Sequence, residues 1–492
     1  MSVSCQTRIS GRVCARSVRP LLADMWGQRR RVPLVQKRRF DFRLVHLSVQ
    51  TKGLRWARRP LLPDGLSDPL NLREPLLVKL SGGQMCNLIG HAVRQALTRR
   101  GFIAGSAVGA SLISPMMCSA VAGNGSLDSR IQLAQSPGDA ASSRTRLLLL
   151  GTAGGPTWWP NSDQCGISSA VAVGDAYYLV DCGEGVGKRL QQAVSPTDNR
   201  TVMSASLRAL FLTHLHSDHT IDYANLLLFG LFTGLDRPSS PLKVFGPGRR
   251  GQMEPTFSLP GSPTPTVATI NPDNPTPGTK DMTGYLYQAF ATDLNDRMRD
   301  NGKRSLEQLV EVHDIDIPVI AGFKSPNETP SPPMEPFKLF EDDRVRVSAT
   351  LVDHAPVWPA FAYRFDTDDG SIVFSGDTGR NENLIKLAKG ADILVHEVIV
   401  TSWVNRLFPT PRSVADEGLI KHLLNAHTSV EDVGGIAEAA GVKKLVLSHI
   451  VPGNATREQL LPAGKGFSGE LVIGRDLMQI GVGQAAASPR KG

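Results

Sequence analysis

The stretch Thr213-His214-Leu215-His216-Ser217-Asp218-His219 decides the fold. Four side chains able to bind a metal stand at i, i+2, i+4 and i+5. They come directly after residues 207–212, a short apolar run that reads as a buried strand, and before a helical stretch at 220–229. A strand end does not carry four such groups as passive core residues, because each would have to be stripped of water and given a partner. Imidazole and carboxylate are the ligands zinc takes besides thiolate, and clustering them on one loop lowers the entropic cost of assembling a site.

Working outward, residues 145–150 form a strand ending in the turn 151–156, and 168–173 and 176–180 form a hairpin around Gly174-Asp175. Residues 186–194 read as a helix. The stretch 237–280 is dense in Pro, Ser and Thr and reads as loop with one strand at 242–245. Over 283–299 the apolar residues Leu286, Phe290, Leu294 and Met298 recur every four positions, which predicts one amphipathic helix capped by Thr283. Strands are expected at 345–352, 360–365, 371–375 and 393–395, then a helix around 430–440 and a last core strand at 444–448. Strands lead and helices interleave in both halves, so the expected class is α/β, with two sheets face to face and helices outside.

The chain has 492 residues, 41% of them hydrophobic and 20% charged, which supplies ample apolar material for a large core. Its net charge of +8 is unevenly placed. Residues 1–123 hold 20 Lys+Arg against 5 Asp+Glu, and the remainder holds 34 against 41, a net −7. Six cysteines in this length exclude a disulfide-stapled scaffold, and only Cys165 and Cys182 lie beyond residue 123. An aromatic content of 6% gives no sign of an extended stacking platform for single-stranded nucleic acid.

The basic leader reads as an address. Leu97-Thr98-Arg99-Arg100-Gly101-Phe102-Ile103 opens an uncharged run, diluted by Gly and Ser, that ends in Ala120-Val121-Ala122. Twin arginines, a moderately apolar segment and a small-x-small site are the marks of a twin-arginine signal with cleavage after Ala122. The other reading is a retained membrane anchor, for which the run is poorly hydrophobic. The expected organisation is a basic extension at 1–84, a signal at 85–122, a linker at 123–144, a hydrolase domain at 145–480 with an insertion at about 237–340, and a tail at 481–492. Export to the periplasm or medium is expected, with the twin-arginine machinery as partner and no membrane anchor after cleavage.

His214-x-His216-x-Asp218-His219 resembles the signature of the metallo-β-lactamase superfamily. Asp181-Cys182-Gly183-Glu184-Gly185, Val352-Asp353-His354, Ser375-Gly376-Asp377-Thr378, His396-Glu397, His427-Thr428-Ser429 and Ser448-His449 follow in the order of its ribonuclease Z-like branch. The resemblance implies an αββα sandwich with metals at one edge of the two sheets. It implies two zinc ions, with manganese or iron as substitutes. His214, His216 and His354 would bind the first, Asp218, His219 and His449 the second, and Asp377 would bridge them, with a hydroxide between the metals as nucleophile. Asp218 is also a catalytic candidate. Asp181 would accept a hydrogen bond from a metal-bound imidazole, and Glu397 with His427 resembles the pair that delivers a proton to the leaving oxygen. His313 and His422 match no motif and read as surface or structural residues.

In ribonuclease Z a long basic arm is inserted between the histidine of the third motif and the bridging aspartate. Here only 22 residues separate His354 from Asp377, and they carry a strand pattern. With a net negative domain and an export signal, the expected substrate is therefore a small-molecule ester, an aryl sulfate or phosphodiester, with no nucleic-acid partner. Alternatives are a lactone or β-lactam ring opener and a non-catalytic metal-binding module. A homodimer is a further option, and Trp158 with Trp159 would line a pocket accepting an aromatic group.

Overall fold

Strand residues divide by parity between two cores, and that division builds the architecture. In β1 (Thr145–Gly151) and β2 (Ser168–Val173), Leu147, Leu149, Val171 and Val173 enter one apolar cluster, while Leu148, Leu150, Ala170 and Ala172 enter another. Successive strand side chains point to opposite faces, so a strand apolar at every position must be covered on both. The computed structural model describes residues 143–194, 203–238, 240–258, 261 and 263–483. The extension at 1–84, the signal at 85–122 and nearly all of the 123–144 linker lie outside these. No helix among the described residues is long and apolar enough to cross a membrane.

The chain continues through β3 (Ala176–Val180), α1 (Val186–Val194), β4 (Leu207–Phe211), α2 (Ser217–Thr220), α3 (Tyr223–Thr233), β5 (Leu242–Gly246), α4 (Thr279–Ala289), α5 (Ala291–Arg299), α6 (Leu306–Leu309) and β6 (Val310–Asp314). The second half contributes β7 (Phe337–Glu341), β8 (Arg346–Leu351), β9 (Phe361–Thr367), β10 (Gly370–Phe374), α7 (Glu382–Ala388), β11 (Ile393–Ile399), α8 (Thr401–Leu407), α9 (Val414–Asn425), α10 (Val433–Ala440), β12 (Lys444–Val451), α11 (Arg457–Leu460), β13 (Glu470–Ile473) and β14 (Gln479–Val482). They form two seven-stranded sheets, ordered β14-β1-β2-β3-β4-β5-β6 and β13-β12-β11-β10-β9-β8-β7. Both are mixed: β3 to β6 run parallel, as do β10 to β13. Phe211 ties the sheets together, stacking on Phe245 at 5.3 Å and meeting Phe365 edge-on at 5.3 Å. Helices cover the outer faces, giving the αββα sandwich that the resemblance implied.

Three expectations change. The helix expected over 283–299 is two helices broken at Phe290. Its start is at Gly278, where Asp281 accepts from the Gly278 N–H, while Thr283 lies inside the helix and donates to the Thr279 carbonyl. An exact four-residue repeat drifts about 40° per step around a helix of 3.6 residues per turn, so no straight helix keeps all four apolar residues on the core; Leu286 and Leu294 pack inward while Phe290 and Met298 stay exposed. Lys444–Val451 is not the last strand, since β13 extends its sheet and β14 returns to pair with β1, carrying the domain past residue 480. The range 237–340 holds the sheet strands β5 and β6 and most of β7, so it is not an insertion throughout.

Candidate metal centre

The strands that carry the site residues end at one edge of the sandwich. β4 leads into His214–His219, β10 into Asp377, and β8 is followed by His354. On β12 the pairing with β11 slips: His396 faces Leu447 and Val398 faces Ile450, leaving Ser448-His449 opposite Glu397 alone. Such a bulge re-aims a side chain. His449 has φ +46, and Asp181 has φ +62, both in the left-handed region that side chains rarely adopt. Two strained residues held in one site mark a place where the surroundings over-determine the backbone. Gly154 makes room for His449, because a Cβ there would lie 2.5 Å from His449 Nδ1.

The donor atoms converge. His216 Nδ1 lies 3.0 Å from His214 Nε2 and 3.2 Å from His354 Nε2. His449 Nε2 lies 3.2 Å from Asp218 Oδ2, and His219 Nε2 lies 3.7 Å from the same oxygen. Asp377 Oδ2 stands between the two groups, 3.3 Å from His449 Nε2, 3.4 Å from His219 Nε2, 3.8 Å from His354 Nε2 and 3.9 Å from His214 Nε2. All seven side chains that the resemblance named are thus brought together. Neighbouring groups hold them from behind. Asp181 accepts from Thr213 N at 2.7 Å and from His219 Nδ1 at 2.9 Å, the contact expected of it, which leaves His219 Nε2 facing the centre. His354 Nδ1 donates to the Ala426 carbonyl at 2.8 Å, and Asp218 Oδ2 also accepts from Gly155 N at 2.9 Å.

Burial without water sets the electrostatics. It pushes His216 down to about 4 and holds His214 and His354 well below the usual histidine range. Burial works the same way on His219, but Asp377, Asp181 and Asp218 overcome it and raise that imidazole. Burial opposes ionisation of Asp377, yet His449 and His219 keep its carboxyl well below the usual range. Asp377 Oδ1 and His219 Nε2 are buried with no hydrogen-bond partner. Nitrogen pairs about 3.3 Å apart are what a tetrahedral ion bound at about 2.0 Å requires. Neutral imidazoles at His214, His216 and His354, a central carboxylate and buried polar atoms without a hydrogen-bond partner therefore fit bound cations, and these His and Asp groups could hold metal.

Glu397 Oε1 accepts three hydrogen bonds, from Thr378 N at 3.0 Å, Thr428 N at 3.1 Å and His427 Nδ1 at 3.0 Å. His427 is buried, which lowers its proton affinity, but Glu397 and Asp377 prevail and push it up to about 9. His427 Nδ1 lies 3.9 Å from Asp377 Oδ2. A charged imidazole therefore borders the acidic centre with one nitrogen committed to Glu397.

His422, which matches no motif, stands beside the donor cluster. It lies on the last turn of α9, its ring centroid 5.4 Å from that of His354 and 5.7 Å from that of His427. Burial lowers its proton affinity, and its Nδ1 is buried without a partner. The available signal was the helix start Ser413-x-x-Asp416, a capping box that places His422 in a helix ending just before His427. His313 lies elsewhere, on β6, against Glu311 at 2.9 Å. The tryptophan pair divides: Trp159 donates to the Gly154 carbonyl and packs edge-on against Trp403, while Trp158 is exposed. Cys165 and Cys182 are both free.

No family model matches the chain. Ribonuclease Z of Mycobacterium bovis (strain BCG / Pasteur 1173P2) is 31% identical over 339 residues, covering 68% of this chain and 98% of that protein. Ribonuclease Z of Mycobacterium marinum is 29% identical over 340 residues, with the same coverage, 68% and 98%. Solved structures that resemble it include the metallo-β-lactamase fold protein YhfI from Bacillus subtilis, at TM-score 0.41 and 16% identity, covering 68% of this chain and 99% of that one. Human tRNase Z, short form, gives TM-score 0.41 and 17% identity with the same coverage, 68% and 99%.

The ribonuclease Z relatives correct the expectation of a small-ester hydrolase of arylsulfatase type with no nucleic-acid partner. The arm is indeed missing, since β9 and β10 fill the interval between His354 and Asp377. Its absence and a net charge of −7 beyond residue 123 were nonetheless the wrong criteria. Net charge is a sum over a whole surface, whereas phosphate contacts are local. The chain is a metal-dependent hydrolase by family, and it belongs to the ribonuclease Z family of the metallo-β-lactamase superfamily.

Proposed function

We propose that this chain is a dinuclear zinc phosphodiesterase that hydrolyses RNA, the substrate class that the name of its ribonuclease Z relatives carries. The observation that carries the reading is the Glu397–His427 pair set against the edge of the Asp377-centred donor cluster, in a chain of this family. One cation would be held by His214, His216 and His354, the other by Asp218, His219 and His449, with Asp377 shared. When bound, such cations supply Lewis acidity toward a phosphoryl oxygen and acidify water.

The residues of the chain account for the rest. Hydrolysis adds water across one P–O bond, and the departing oxygen needs a proton. His427 holds that proton: Glu397 fixes Nδ1 and favours the charged ring, so Nε2 is the atom that gives it up. Asp181 and the Ala426 carbonyl fix the tautomers of His219 and His354, so that their Nε2 atoms face the centre. The bond that Asp218 accepts from Gly155 N fixes the carboxylate beside His449, where it can also orient the attacking water.

For location we propose the reading of residues 85–122 as a twin-arginine signal. Fractionation of cells expressing the full chain tests it, and unchanged export of the Arg99→Lys/Arg100→Lys double variant would oppose it. The reaction is tested with metal-analysed full-length protein and a 3′-extended transfer RNA. Cleavage abolished by chelation and restored by zinc is expected. Protein that binds two zinc ions yet leaves every RNA phosphodiester intact overturns the proposal.

A further inference from the structure

A second cavity opens beside the donor cluster and shares one wall with it. It encloses about 290 Å³, close to the lower end of the range that small-molecule pockets occupy. Asp218 and Ser217 form the wall toward the metal centre, and Trp158 and Ile221 stand at the rim. Trp158 is 88% exposed and Ile221 59%. An indole left in water forgoes most of the free energy that burying so large an apolar surface would supply. Trp159, the neighbouring ring, is locked by its bond to Gly154 and its contact with Trp403, so it gives the cavity a rigid floor. Gln164 also lines the cavity, and its side-chain amide oxygen is buried without a hydrogen-bond partner. A lone acceptor in that condition costs free energy until a donor reaches it.

We propose that this cavity is a nucleobase slot, in which the base next to the scissile phosphate stacks on Trp158 and donates an exocyclic N–H to the Gln164 amide oxygen. The assignment rests on the RNA reading above and specifies its substrate: a nucleotide bearing an amino group, as adenine, cytosine and guanine do and uracil does not. Three features point to one occupant. The slot adjoins Asp218, so its ligand is continuous with whatever lies at the metal centre. A flat exposed ring suits a π-face, since stacking on an aromatic side chain is tolerant of base identity. The orphaned acceptor adds the discrimination that stacking lacks, because a site built for a hydrogen bond rejects an analogue without it.

Two measurements on the full-length, zinc-loaded protein test the slot separately from the reaction. In the first, adenosine monophosphate and ribose 5-phosphate are titrated by calorimetry. The base should tighten binding about tenfold, the effect of one base on an aromatic platform. Trp158→Ala should bring the two ligands together, and Trp158→Phe should keep most of the difference. In the second, uridine monophosphate replaces adenosine monophosphate, and Gln164→Leu should erase a preference for adenine. Equal binding of adenosine monophosphate and ribose 5-phosphate to the unmodified protein overturns the slot, whatever RNA cleavage shows. A base preference lost in Trp158→Ala supports it even if no RNA is cut, in which case the proposed reaction fails and the slot stands. For RNA substrates, the ratio of kcat/KM between an adenine-bearing and an abasic nucleotide beside the cleaved bond should fall toward one in Trp158→Ala; an unchanged ratio opposes the proposal.

Discussion

At the residue scale, the site's chemistry turns on which groups keep protons. His427 is driven up to about 9 because Glu397 and Asp377 outweigh the cost of burying its charge. Replacing Glu397 by Gln keeps the shape and removes the charge, so the imidazole should lose its proton at lower pH. The falling limb of kcat against pH should move toward neutrality in Glu397→Gln, and an unmoved limb would show that Glu397 does not tune His427. His427→Ala should leave zinc content intact and lower kcat by roughly 10²-fold or more for poor leaving groups, but far less for nitrophenolate esters. Equal losses for both would remove the proton-delivery role. The same shift is a statement about stability. A group whose folded value is raised stabilises the fold fully below its unfolded value of 6.5, and that contribution disappears as pH rises through about 9. In the metal-free protein, the stability difference between wild type and His427→Gln should therefore shrink between about pH 6.5 and 9, by an amount on the order of 3 kcal/mol. Asp377 contacts members of both triplets, so Asp377→Ala should lose both zinc ions in metal analysis; a variant keeping two tightly bound ions would refute its bridging place. The His214-x-His216-x-Asp218-His219 cluster was legible from its own spacing, whereas the convergence of His354, Asp377 and His449 on it was legible only through the order of motifs that the resemblance supplied. His422 was not, because nothing local distinguishes it and only the packing of α9 across the site brings it near His354.

At the element scale, the site depends on backbone detail that sequence patterns barely record. Strand cores were readable, since runs such as Leu147–Leu150 or Leu445–Leu447 have few other places to go. β13 and β14 were not, because four-residue strands such as Glu-Leu-Val-Ile and Gln-Ile-Gly-Val gain their identity only from the strands they pair with. The bulge that turns His449 inward was equally silent. It works only because the facing loop is glycine at position 154. Gly154→Ala would bring a Cβ to within 2.5 Å of His449 Nδ1, and the imidazole must retreat. The expected result is weakened binding of the ion assigned to Asp218, His219 and His449, with the other retained and the fold intact by circular dichroism. Stoichiometry near one zinc per chain would show it. Two zinc ions held with wild-type affinity would mean that the loop shifts freely and that the close approach has no role.

At the scale of the whole molecule, the donor cluster exists only where the two sheets meet. His214, His216, Asp218 and His219 come from the loop and short helix α2 after β4 in one sheet, while Asp377 follows β10 and His449 lies on β12 in the other. Bound metal therefore favours the assembled sandwich, as any ligand exclusive to the folded state must. The same scale governs RNA binding. Each phosphate neutralised by Lys or Arg releases counterions, so the salt dependence of affinity counts those contacts, with a slope of about −0.7 per contact for a single strand. The region beyond residue 123 has a net charge of −7, and no basic arm separates His354 from Asp377. Among the described residues, Arg189, Arg457 and Arg475 line a cleft that also reaches Gly453, Arg189 is paired with Asp476 at 3.1 Å, and Arg380 lies 3.6 Å from Glu382. A plot of log affinity against log salt should thus be shallow, with a slope magnitude below about 3, because a handful of phosphates, a stacked base and the metal centre carry the interaction. A relative with the arm should show a steeper line under the same conditions. If this chain proves as steep, the reading that a handful of phosphates, a stacked base and the metal centre carry the interaction is refuted.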